Sequence, residues 1–124
     1  FGPELAFVDA RGIVVVVPAL FERGQSNPKG DRVYLLDEVL ALVREYRTRD
    51  VLIEGHTQDR GESDVNMNLA QARADEVQNW FLQRSIRGSR LTTAAFGEDA
   101  PRFDNRSSGG RADNDRVEIV FLVE

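Results

Sequence analysis

The sequence has no cysteine, and it has a single histidine, tryptophan, methionine and lysine. Without cysteine there are no disulfides, no thiol nucleophile and no cysteine-based zinc site. His56 stands alone, with no H-E-x-x-H or comparable spacing, so nothing in the pattern builds a metal centre. Long apolar runs are also missing. The longest is residues 13–17, with Pro18, Leu20 and Phe21 nearby. A membrane-spanning helix needs about 20 apolar residues. Positive charge is the scarcer sign, 16 Lys and Arg against 21 Asp and Glu, for a net charge of -5. That balance points away from nucleic acid, which calls for a basic patch. Gly24 belongs to no phosphate loop, because no glycine-rich run ends in Lys-Ser or Lys-Thr. Internal repeats, linkers and low-complexity tracts are absent.

What remains is 124 residues, 41% apolar and 30% charged, enough for one domain over 1–124 with one core and a strongly solvated surface. Lys29 is the only lysine, so the other cations are arginines. Arginine suits bidentate recognition of carboxylates and phosphates, and the bias is equally what a genome's composition leaves behind.

Periodicity sets out the elements. Residues 5–8 read as an edge strand, 9–12 as a turn and 13–17 as a β-branched strand ended by Pro18. Residues 20–28 carry Gly24, Ser26, Asn27 and Pro28 and form a loop. A helix is expected over 29–47. Val33, Leu36, Leu40 and Val43 supply its buried stripe, Leu35, Val39 and Leu42 widen it, and Glu45 pairs with Arg49 on the exposed side. Val51-Leu52-Ile53 is the next strand, followed by a charged loop from Gly55 to Glu62. The strand–helix–strand unit implies a parallel, right-handed crossover.

A second helix is expected over 64–84, with Ser63 as N-cap and Leu69, Val77, Trp80 and Phe81 facing inward. Residues 91–96 form a strand, 97–111 a polar loop, and 117–123 a last strand whose first half is half-exposed. This β-(β)-α-β-α-β-β order predicts an α+β two-layer sandwich, a mixed sheet with helices on one face.

Arg73 interrupts the apolar stripe of the second helix, four residues from both Leu69 and Val77. A buried guanidinium requires an anion or several hydrogen bonds. It either receives a carboxylate beside the 55–62 loop, bridges internally to Asp59, Asp64 or Glu54, or snorkels to water. His56 is expected to be a structural imidazole that holds loop backbone. Neither Ser63 nor Thr57 has a base at a spacing that makes it a nucleophile, so no enzyme is indicated. Asn66 and Asn114 are amides for backbone or ligand.

Two ordered blocks carry a family resemblance. The first is Ile53-Glu54-Gly55-His56-Thr57, then Gly61, Asn66, Leu69 and Arg73-Ala74. The second is Leu91-Thr92, Phe96-Gly97-Glu98, Pro101, Asn105, Gly110-Arg111-Ala112, Asn114 and Arg116-Val117-Glu118. Over residues 13–123 the chain resembles the OmpA-like C-terminal domain, the peptidoglycan-associating module of peptidoglycan-associated lipoproteins and flagellar stator proteins. The resemblance implies a non-catalytic, cofactor-free domain in the periplasm, the soluble part of a protein anchored in the outer or inner membrane. Its implied partner is the stem peptide of peptidoglycan, held by the carboxylate and amine of diaminopimelate.

Carried over residue by residue, the implied ligand contacts are Thr57, Gln58, Asn66, Arg73 and Asn114, with Phe21 in the first loop. The family's Asp after Gly-His-Thr is Gln58 here, with Asp59 as the neighbouring acid. Asp115 stands where an Arg is usual, and Ala70 where a Ser is usual. A charged hydrogen bond contributes ~1.5–3 kcal/mol, so Gln58 implies a carboxylate subsite at Arg73 with altered selectivity, for an amidated or different stem peptide. The alternative is a degenerate domain that pairs with an envelope protein or with a second copy of itself.

Overall fold

Five strands form one sheet in the computed structural model, which describes residues 5–124; the first four residues of the expected domain lie outside that range. β1 (Ala6–Asp9) and β2 (Gly12–Val17) make the expected hairpin, with Ala6 opposite Val15 and Asp9 opposite Gly12. β3 (Val51–His56), β4 (Leu91–Gly97) and β5 (Val117–Leu122) complete the sheet in the order β1-β2-β5-β3-β4. β3 and β4 are parallel neighbours. β2 and β3 also run parallel, as the strand–helix–strand unit implied, but β5 inserts between them, antiparallel to both.

The helices α1 (Tyr34–Glu45) and α2 (Ser63–Leu82) pack on one face. Leu36, Val39, Leu40 and Val43 of α1 and Ala74, Val77 and Phe81 of α2 meet Val15, Val17, Val51, Ile53, Ile119 and Phe121 of the sheet. Each fully buried valine, leucine, isoleucine or phenylalanine among them contributes ~1.5–3 kcal/mol.

α1 is shorter than 29–47. The N–H groups of Arg32 and Val33 both donate to the Lys29 carbonyl, at 3.0 and 2.9 Å, so residues 29–33 turn before the helix starts. Because α1 stops at Glu45, Arg49 is off its helical register; its guanidinium lies 5.8 Å from the Tyr46 ring centroid, and no Glu45–Arg49 bridge forms among the described residues. Arg90, in a short 3-10 turn at Gly88–Arg90, closes the end of α1 instead. It donates to the carbonyls of Val43, Tyr46 and Arg49.

α2 begins one residue earlier than expected. Ser63 is its first residue, Glu62 occupies the cap position, and no side chain caps the end. Trp80 is only half-buried, at the helix edge, with the Arg84 guanidinium 3.7 Å from its ring centroid.

β3 continues three residues past Ile53, so Gly55 and His56 belong to the strand rather than to the loop. Gly55 faces α2, where a Cβ would sit 1.8 Å from the Ala70 carbonyl oxygen. Only glycine allows the helix that close.

The opposite face of the sheet is covered as well. Val14, Val16 and Val120 pack there with Phe7, Leu52 and Phe103. The polar stretch of residues 98–107 therefore folds over the sheet and leads into α3 (Ser108–Asn114), a helix within the expected loop. Ser107 caps it by accepting the Gly110 N–H at 3.0 Å. That cover buries the first half of β5, which was expected to be half-exposed: Glu118 is 1% accessible.

Candidate functional site

The ends of β2 and β3, the start of α2 and the approach to β5 converge at one end of the sheet. Arg73 lies at the centre and is fully buried. None of the acids foreseen for it is its partner. It donates through Nη1 to Asp115 Oδ1 at 2.7 Å and to the His56 carbonyl at 3.0 Å. Its Nε donates to the Gln25 carbonyl at 2.8 Å, and Nη2 to the Glu22 carbonyl at 3.1 Å. Phe21 lies under the guanidinium, 4.7 Å from ring centroid to Cζ, in a cation–π contact.

The reason lies in topology. β5 sits beside β3, so Asp115, two residues before β5, reaches across the sheet end to Arg73 of α2. Burial draws the Arg73 guanidinium below the ordinary arginine range, and the Asp115 carboxylate opposes that shift. The guanidinium expected to grip a foreign carboxylate is thus engaged by the chain's own.

Gln58 completes the arrangement. Its side-chain Nε2 donates to Asp115 Oδ2 at 2.7 Å, and its backbone N–H to Asp115 Oδ1 at 3.4 Å. Asn66 donates through Nδ2 to the Gln58 carbonyl, the Arg60 carbonyl and Glu98 Oε1, at 3.3, 3.0 and 3.0 Å. Thr57 is buried and donates its hydroxyl to the Gln58 carbonyl at 2.8 Å.

Two hollows open beside this network. One, of about 240 Å³, is bounded by Thr57, Gln58, Asn66 and Asp115, with Arg23 and Arg60 at its rim. The other, of about 280 Å³, adds Phe21, Lys29 and Arg111. Arg23, Lys29 and Arg60 make no ion pair among the described residues.

The remaining expected residues divide. Asp59 is exposed and lines neither hollow. Gly61, at φ 88°, turns the chain there, while adjacent side chains on an extended backbone point apart. Asn114 is fully buried and spent on structure: Oδ1 accepts from the backbone N–H groups of Arg102 and Phe103, and Nδ2 donates to the Phe103 carbonyl and Asn105 Oδ1. It pins the cover of the opposite face and does not reach the hollows. Sequence reasoning passed over Arg23 and Arg60, which carry no periodicity, and registered Asp115 only as a departure from the usual Arg.

His56 lies on the opposite face and holds no loop backbone through its ring. It stacks on Phe96 at 5.2 Å between centroids, Nε2 is 3.6 Å from Glu54 Oε1, and neither ring nitrogen has a hydrogen-bond partner. Desolvation pulls its pKa down. Glu54, His56 and Glu118 are close enough together to share a metal ion. Their carboxylates are already taken: Glu54 pairs with Arg11, and Glu118 with Arg102 and Arg116. Two carboxylates facing three guanidiniums do not suit a divalent cation. Burial pushes the Glu118 carboxyl up, but Arg102 and Arg116 outweigh it and hold it at about 2.

A model of the OmpA family matches residues 20–115. The chain is 32% identical over 101 residues to the probable lipoprotein YiaD of Escherichia coli, covering 82% of the chain and 46% of that protein. It is 26% identical over 95 residues to the peptidoglycan-associated lipoprotein of Pasteurella multocida, covering 77% of the chain and 63% of that protein. In three dimensions it is similar to the cell wall anchor of the T6SS from Pseudomonas aeruginosa, with a TM-score of 0.79 and 27% identity over 98% of the chain and 90% of that structure. The chain spans between 14% and 63% of the length of the curated relatives it matches.

Proposed function

The chain belongs to the OmpA family, and from that premise we propose that it is a non-catalytic periplasmic domain that binds the stem peptide of peptidoglycan and tethers its parent protein to the cell wall. One observation carries the reading: the hollow bounded by Thr57, Gln58 and Asn66, with unpaired cations at its rim, opens at the strand ends where α2 begins. The names of a peptidoglycan-associated lipoprotein and a cell wall anchor among its relatives support it. Among the described residues no helix is long and apolar enough to cross a membrane.

In this reading Arg73 organises the site rather than touching the ligand. It holds Asp115, and Asp115 holds Gln58, the position where the resemblance expects an Asp. Arg23 and Arg60 take the acidic groups of the peptide. Binding is tested by co-sedimentation with purified peptidoglycan sacculi and by calorimetry with stem-peptide fragments. Saturable binding, weakened by the double substitution Arg23→Ala and Arg60→Ala, is expected. No binding to either material overturns the reading.

A second reading, an interaction or dimerisation module that does not touch the wall, is favoured by the same Arg73–Asp115 pair, because the strongest anion site is closed internally. It predicts concentration-dependent association in sedimentation equilibrium, with no effect of stem peptides.

A further inference from the structure

The floor of the hollow beside α2 has a defined polarity that follows from which groups can donate. A carboxylate held by a guanidinium only accepts hydrogen bonds. Asp115 accepts from Arg73 at 2.7 Å, so the Gln58 side chain at 2.7 Å from Oδ2 must present its NH2 there and turn its carbonyl, Oε1, the other way. Asn66 is fixed by the same logic. Three oxygens surround its Nδ2 within 3.3 Å, so its Oδ1 faces away from them. Neither Gln58 Oε1 nor Asn66 Oδ1 accepts a hydrogen bond among the described residues, and neither is sealed from solvent. Both side chains line the hollow. The floor therefore offers two neutral acceptors.

Charge narrows the occupant. Asp115 is the only carboxylate among the lining residues, and Arg73 neutralises it. The rim carries Arg23 and Arg60. An ammonium entering here meets two guanidiniums and no unengaged carboxylate. A carboxylate pushed to the floor meets two carbonyl oxygens and the buried Asp115. A carboxamide meets neither obstacle: its N–H groups find the acceptors and it brings no charge.

We propose that Gln58 and Asn66 make this hollow selective for a neutral carboxamide, with a neighbouring carboxylate of the same ligand held at the rim by Arg23 and Arg60. Gln58 is the specificity-determining residue, and Asp115 positions it. The inference rests on the stem-peptide reading above and names which stem peptide fits, one in which a carboxylate on a carbon that bears no ammonium is replaced by a carboxamide.

The experiment is calorimetry on the chain with two synthetic stem tripeptides that differ only at that group, free carboxylate or carboxamide. The amidated peptide is expected to bind at least tenfold more tightly. Gln58→Met, similar in length and without an acceptor, is expected to reduce that preference to within about threefold, with thermal unfolding showing that the variant is folded. Asp115→Asn, which releases Arg73, is expected to shift the preference toward the free carboxylate. Equal or tighter binding of the free acid by the wild-type chain overturns the selectivity while leaving wall binding intact. A preference unchanged in Gln58→Met overturns the role of Gln58. Binding of neither peptide overturns the stem-peptide reading and the selectivity with it.

Discussion

Asp115, two residues before β5, accepts a hydrogen bond of 2.7 Å from Arg73 on a helix 42 residues earlier in the chain. Both side chains are buried, at 2% and 0% accessibility. Removing one partner of such a pair leaves an uncompensated charge inside the protein, which costs ~3–5 kcal/mol. Asp115→Ala is therefore expected to lower unfolding stability by an amount in that range, measured by urea denaturation. A loss below about 1 kcal/mol would mean that the carbonyls of Glu22, Gln25 and His56 suffice for Arg73.

Gly55 is expected to tolerate no side chain. A methyl group there would meet the Ala70 carbonyl oxygen at 1.8 Å, so α2 must move off the sheet. Overpacking of this kind costs ~1–3 kcal/mol and occasionally more. The denaturation midpoint of Gly55→Ala checks it, and an unchanged midpoint contradicts the close approach.

Arg90 ties the end of α1 to the start of β4 by donating to three carbonyls of the helix end and its exit, those of Val43, Tyr46 and Arg49. Arg90→Met keeps much of the stem and loses every donor. Hydrogen bonds from a charged group contribute ~1.5–3 kcal/mol, so a loss of that order is expected, with faster amide exchange confined to the last turn of α1.

Acid is expected to destabilise the fold in two stages. His56 is neutral when buried, its pKa pulled below the ordinary 6.5 by desolvation, so the unfolded chain binds its proton first. Stability is lost as pH falls from 6.5 through that lower value. Glu118 follows. Its carboxyl falls from an ordinary 4.5 to about 2, so its contribution is complete above 4.5 and is lost between 4.5 and about 2. The urea midpoint measured from pH 7 to pH 3 should fall throughout, and His56→Phe should flatten the first stage. A midpoint constant from pH 7 to 5 in the unmodified chain contradicts a neutral, buried His56.

The layered architecture was legible because its signals stand out: an unbroken β-branched run in residues 13–17, alternation beginning at Val117, and three- and four-residue spacing around Leu36, Leu40 and Val43. Element ends were less legible. Residues 29–33 carry helical spacing but close as turns, and Gly55 and His56 look like a loop because a polar residue and a glycine interrupt an apolar strand. One faces the second, covered side of the sheet, and the other admits a helix backbone. Neither reason is visible without the partner surface.

By itself the sequence determined the alternation of strands and helices, the burial of Arg73 and the family, since each depends on residues close together in the chain or on motifs read in order. Only the tertiary structure decided what Arg73 holds and which way Gln58 faces. Asp115 reaches both because β5 inserts beside β3, and strand insertion is a long-range event that no local spacing encodes. The acid at 115, which the sequence presented as a departure, becomes through that insertion the group that orients the floor of the site.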